Sequence, residues 1–167
     1  NKAIAALNKL SDVQYPNKQK RIAEMKFVRG HFYFMLKILF KYVPYVDEST
    51  PIEEYPNISN RAKTDQQLWD AIAADFEFAS ANLPATQAEV GRPKKSAAFA
   101  YLAKVRLYQA YEQDDNYTVT KINPATLQKS IDAANQVIGN YALESDFGYN
   151  FLPGRSEEHT SELQSQR

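Results

Sequence analysis

Few residues in this 167-residue chain are of a type and spacing that could run a reaction. His31 lies between Gly30 and Phe32, with no second His, Cys or metal-spaced carboxylate beside it. It reads as a hydrogen-bonded or half-exposed histidine rather than a base or a ligand. The chain has no Cys, which excludes disulfides, thiolate zinc sites and cysteine nucleophiles. Asp47, Glu48, Glu53 and Glu54 form an acidic cluster, but without the dense spacing or the Gly of a calcium loop, so a solvated loop is expected. Gly91-Arg92-Pro93-Lys94-Lys95 opens a helix, where backbone donors can meet an anion. It lacks the strand and the Gly-Lys-Ser order of a phosphate loop, and Arg92 is expected to pair with a carboxylate of a neighbouring helix or loop. Nothing resembles a serine triad or a dinucleotide loop. No catalytic, cofactor-binding or metal-binding residue is assigned, and the chain does not read as an enzyme.

Aromatic residues are the richer resource, at 13% of the chain. A ring face can pack on the apolar C–H groups of a ligand, so each exposed aromatic is a candidate platform. Trp69, Tyr101 and Tyr108 fall on apolar stripes of helical spacing and are expected in the core. Tyr45 and Tyr55 differ: they sit in a proline-rich loop with no periodic reason to be buried. They are the candidates for contact with a ligand.

The elements that must position these residues read as helices. Ile4, Leu7 and Leu10 mark a first one over Asn1–Leu10. A long amphipathic helix follows over Lys18–Tyr42, with Ile22, Met25, Val28, Phe32, Met35, Leu36, Leu39 and Val43 expected on its buried stripe. Arg29, His31, Lys37 and Lys41 interrupt that run too often for a membrane span. Pro44 to Lys63, about twenty residues with three prolines, reads as a long irregular loop of the kind that often carries function. Thr64-Asp65-Gln66-Gln67 is a capping box opening a helix to Leu83, with Trp69, Ile72, Ala73, Phe76 and Ala79 on one face. Pro93 fits the first turn of a helix to Gln113, Tyr117–Ile122 alternates as an extended piece, and Asn123-Pro124 opens a last helix to Gly139. That last helix carries the stripe Leu127, Ile131, Ala134, Val137 and Ile138. The fold class is all-α, as antiparallel helix hairpins.

Trp69, Ile72, Phe76, Ala79 and Pro84 repeat the spacing of the second helix of a tetratricopeptide unit, and Phe99, Leu102 and Ala103 match a first helix. Leu127, Ser130, Ala134 and Val137 repeat the second-helix spacing after an insertion. Divergent tetratricopeptide-like pairs with long loops are expected. With 20 basic and 20 acidic residues there is no charge excess for nucleic acid. Arg155 to Ser165 resembles a translated sequencing adapter. The domain organisation is therefore a helical domain over 1–153, truncated at both ends, and a non-native tail over 154–167. Setting the tail aside removes two basic and three acidic residues, and His159, without disturbing neutrality.

Three stretches together resemble the SusD/RagB family of outer-membrane nutrient-binding lipoproteins. The first runs from Ala23 through Arg29-Gly30-His31-Phe32-Tyr33-Phe34 and Leu39-Phe40 to Val43-Pro44; where the family has a Gly-Asp type pair before the turn, this chain has Lys41-Tyr42. The second is Trp69 to Pro84. The third, Gly91 through Ala98 to Leu102-Ala103-Lys104-Val105-Arg106-Leu107-Tyr108, is the most specific. Their order and spacing cover Asn1 to Leu152. The resemblance implies a tetratricopeptide-like scaffold with glycan-binding loops, held at the cell surface by an N-terminal lipid missing from this chain. It implies an oligosaccharide or other nutrient as ligand, which makes Tyr45 and Tyr55 the carbohydrate-binding candidates, and a TonB-dependent outer-membrane transporter as partner. An intracellular tetratricopeptide adaptor for a partner protein is the alternative.

Overall fold

In a computed structural model of the chain, residues 1–142 and 145–151 are described. Five α-helices carry the fold: α1 (Lys2–Asn8), α2 (Lys18–Phe40), α3 (Asp65–Asn82), α4 (Lys95–Ala110) and α5 (Pro124–Asn135). A hairpin of β1 (Tyr111–Gln113) and β2 (Val119–Ile122) links α4 to α5. Each helix from α2 to α5 packs on the next in sequence, the neighbour-to-neighbour order of helix-pair repeats. The all-α reading holds, with a two-stranded hairpin added. The expected boundary at Pro153 and the tail beyond it lie outside the described residues.

Local signals place the helix starts. The Thr64 hydroxyl accepts from the Gln67 amide at 3.2 Å while the Gln67 side-chain oxygen accepts from the Thr64 amide at 2.9 Å, so the capping box closes on both sides. Asn123 accepts from the Thr126 amide at 3.2 Å, with Pro124 in the first turn. The expected bounds of α4 and α5 shift most, while α2 ends two residues early, at Phe40. α4 starts at Lys95, with Pro93 just outside it, and ends at Ala110 because Tyr111–Gln113 pair with β2 instead of continuing the helix. α5 ends at Asn135 and the chain runs on in turns.

The core is centred on α3, whose Leu68, Trp69, Ile72, Ala73, Phe76 and Ala79, with Leu83 just past its end, are buried against α2 and α4. From α4 come Ala98, Leu102 and Val105, and from α2 Ile22, Ala23 and Phe34. Gly30 lets α2 approach α3: a Cβ there would stand 3.0 Å from the Phe76 ring. Tyr101 stacks on Phe76 at 5.2 Å between ring centres.

The expected stripe on α2 is largely a different face from the buried one. Ile22 and Val43 are buried, but Val28, Phe32, Met35, Leu36 and Leu39 lie outside. The helix is apolar on nearly every side, so periodicity alone does not choose. The choice goes to the side where Gly30 allows close approach and where Arg29 and Lys37 reach carboxylates of α3. The stripe on α5 is corrected likewise: Ser130 and Ala133 face inward while Ile131 and Ile138 are exposed. Small residues let α5 settle on α4, where the Ser130 hydroxyl donates to the Ala103 carbonyl at 2.8 Å. Tyr108 is also corrected; it keeps one edge on Phe34 and Trp69 but is 44% exposed.

Candidate functional site

The loop from Lys41 to Thr64 is tied down at its start by a buried ionic cluster. The Arg29 guanidinium grips Asp75 with two bonds, Nε to Oδ2 at 2.8 Å and Nη2 to Oδ1 at 2.6 Å. Its Nη1 donates to Glu48 at 2.5 Å and to the Asn1 side chain at 2.9 Å. Lys26 adds a bond to Glu48 at 2.7 Å. One arginine thus joins α2, α3, the loop and the chain start. Burial by itself would raise the Glu48 carboxyl, but the bonds from Lys26 and Arg29 win and hold it at about 2. So Glu48 is an ion-pair partner rather than a calcium ligand. Asp47 caps a local turn through Ser49 and Thr50, and Glu53 and Glu54 are exposed. Among the described residues no group of His, Asp and Glu could hold a metal ion, and no helix is long and apolar enough to cross a membrane.

The two expected sugar-contact tyrosines share this loop, and both are half-buried. The Tyr45 ring lies 4.6 Å from that of Tyr33, with the Arg29 and Lys63 cations 5.8 and 5.5 Å from its centre. Its hydroxyl reaches the Ala71 carbonyl and Asp75, each at 3.4 Å. Burial and the neighbouring Asp75 push its pKa up, so it stays neutral. The Tyr33 hydroxyl pins the same strand of loop, accepting from the Val46 amide at 2.9 Å. Tyr55 rides on a short 3-10 helix, Ile52–Asn57.

At the C-terminal end of α2 the long loop meets the β1–β2 hairpin, although the two are far apart in sequence. The buried Lys41 ammonium donates to the Asp114 carbonyl and sits 4.6 Å from the centre of the Tyr117 ring. Tyr42 donates to Asp115 at 3.2 Å, Arg61 pairs with Asp115 at 3.2 Å, and the Arg61 guanidinium lies 3.8 Å over the Tyr42 ring. The bonds from Arg61 and Tyr42 lower the Asp115 pKa. Tyr117 remains 52% exposed. The result is a patch of aromatic faces and planar polar groups, the chemistry that holds a sugar ring by stacking and by hydrogen bonds. Sequence reasoning missed Tyr42, Arg61, Asp115 and Tyr117; its one usable signal was that both insertions depart from the repeat spacing.

The other singled-out residues are structural. Trp69 is 7% exposed and packs against Phe34, with the Lys37 ammonium 4.9 Å from its ring. His31 sets its ring edge-on to Tyr101. Arg92 pairs with Glu24 of α2 at 3.0 Å and with Glu89 at 2.8 Å.

Comparison with known proteins points one way. A family described as "Starch-binding associating with outer membrane" (SusD-like) matches residues 1–107. SusD-like protein P2 of Formosa agariphila is 30% identical over 154 residues, covering 88% of this chain and 27% of the relative. A crystal structure of a SusD-like protein from Bacteroides fragilis superposes with a TM-score of 0.62 at 22% identity, over 85% of this chain and 26% of that one. The chain thus spans about a quarter of the length of these relatives.

Proposed function

The chain belongs to the SusD-like family, and from that membership we propose that it is the helical scaffold of a nutrient-binding protein at the outer membrane. In this reading the protein holds an oligosaccharide by its loops, performs no chemistry on it, and passes it to a TonB-dependent transporter. An N-terminal lipid, outside these residues, holds it at the cell surface. The observation that carries the reading is the meeting of the two insertions, Lys41 and Tyr42 against Asp114 and Asp115, at one end of the bundle. A plain adaptor of short helix pairs has no such junction, and here it presents aromatic and planar polar groups together. We assign ligand contact to Tyr117 and Tyr55 first, and to Tyr45 second because its hydroxyl already has partners in the fold.

Native affinity electrophoresis in gels cast with soluble polysaccharides, starch first, tests this. The chain should be retarded by at least one of them, and Tyr117→Ala and Tyr55→Ala should each weaken retardation at least tenfold with helical circular dichroism intact. A natively helical chain that migrates freely in every gel rules the reading out.

A further inference from the structure

α2 has two apolar faces, and among the described residues only one of them is buried against α3. On the face turned away from α3, Val28, Phe32, Met35, Leu36 and Leu39 recur at helical spacing, with Phe32 62% and Leu39 64% exposed. No ammonium or guanidinium breaks this stripe, because Arg29 and Lys37 turn inward to Asp75 and Asp65. At its N-terminal end Val28 also lines a cavity of about 660 Å³ between α2, α4, the loop before α4 and the turns after α5, with Phe27, Ala97, Ala100 and Val137 on its apolar side and Glu89, Arg92 and Lys94 as its charged lining. Stripe and cavity meet at Val28 and together form the trough. Scattered apolar residues on a surface need no explanation, but a contiguous run of large ones marks an interface.

We infer that this trough seats an amphipathic α-helix, apolar where it meets the stripe, supplied by polypeptide of the same protein outside these 167 residues. The shape argues for a helix: the stripe follows α2 for about 17 Å, at 1.5 Å per residue, and its rows of side chains at three- and four-residue steps accept the matching rows of a second helix. The source follows from length, since the relatives devote some three quarters of their chains to segments with no counterpart here. A second copy fits less well, because a two-fold pair would set stripe on stripe and leave the adjoining cavity unfilled. This inference stands apart from the identity of the ligand.

The absence of Cys makes the test direct. Leu39→Cys and, separately, Phe32→Cys introduce one thiol each, whose maleimide labelling rate is referenced to the urea-unfolded protein. In the 167-residue chain both should label within a fewfold of the unfolded rate. In the natural full-length protein, purified as a monomer, both should slow at least tenfold. A photo-crosslinker at position 32 should then capture a segment beyond residue 153 whose apolar residues recur three or four apart. Equal labelling in the two proteins overturns the inference. So does protection of the 167-residue chain that grows with concentration, since a second copy then covers the trough. Crosslinks that land elsewhere, or on a partner molecule, overturn it as well.

Discussion

Lys41 and Tyr117, the two non-glycine residues with positive φ among those described (61° and 64°), touch each other, ammonium against ring at 4.6 Å. Lys41 ends α2 in a tight turn, its neighbour's amide bonding back to the Phe40 carbonyl at 2.6 Å. A lysine in this conformation is strained, by about 1 kcal/mol or more, and is tolerated when its surroundings determine it. Here the Asp114 carbonyl and the Tyr117 ring hold the side chain, so the strain of the turn and the position of the hairpin are linked.

The linkage sets the order of two substitutions. Lys41→Ala keeps the strained backbone and loses a charge-assisted hydrogen bond, at a cost of about 2 kcal/mol. Lys41→Gly loses the same bond but relaxes the backbone, and should be more stable than the alanine variant by about 1 kcal/mol. Urea denaturation of both decides it. An alanine variant more stable than the glycine one contradicts the strained turn.

Gly30→Ala runs against helix propensity. Alanine is ordinarily worth about 1 kcal/mol over glycine inside a helix. At this position the new Cβ meets Phe76 ring atoms at 3.0 Å and the Asp75 Cβ at 3.3 Å. The overpacking should win, with a net loss of about 1–3 kcal/mol in thermal or chemical unfolding. A stabilised variant would mean that α2 and α3 are further apart than described.

Trp69→Ala removes the ring that Phe34, Tyr108 and the Lys37 ammonium surround. A loss of about 3–5 kcal/mol is expected from deleting a large buried aromatic. If denaturation is unchanged and polysaccharide retardation disappears, Trp69 is a ligand platform and not core.

Glu48 gives the fold an acid limit. Its carboxyl sits at about 2 in the folded chain against an ordinary 4.5. A carboxylate depressed on folding stabilises in full above its unfolded value and loses that contribution as pH falls toward the folded one. The ion pairs with Lys26 and Arg29 should therefore supply about 1–2 kcal/mol above about pH 5, once solvent screening at this partly exposed carboxylate is counted, fading between about pH 4.5 and 2. Glu48→Gln should be less stable at pH 7 and show a flatter stability profile over that window. Parallel profiles for the two proteins would place the acid sensitivity elsewhere.

What the sequence by itself determined was local. The reciprocal bonds of Thr64 and Gln67 and the cap at Asn123-Pro124 join residues three apart, so their chemistry is written in adjacent letters. The single apolar face of α3 also admits one reading, and Trp69, Ile72 and Phe76 are buried on it. The ordered family motifs, from Arg29-Gly30 to Leu102–Tyr108, were legible for the same reason. Only the tertiary structure decided which of two apolar faces of α2 turns inward, because both satisfy the helical period and the choice rests on Gly30 meeting Phe76 across a helix pair. It alone joined Arg29 to Asp75, 46 residues away, and Lys41 to Asp114, 73 residues away. Tyr45 and Tyr55 were visible as loop aromatics, whereas Tyr117 and Arg61 became site candidates only when the two insertions met. Periodicity and capping act over a turn of chain; ion pairs and ring contacts between distant segments depend on packing, which no short window of residues contains.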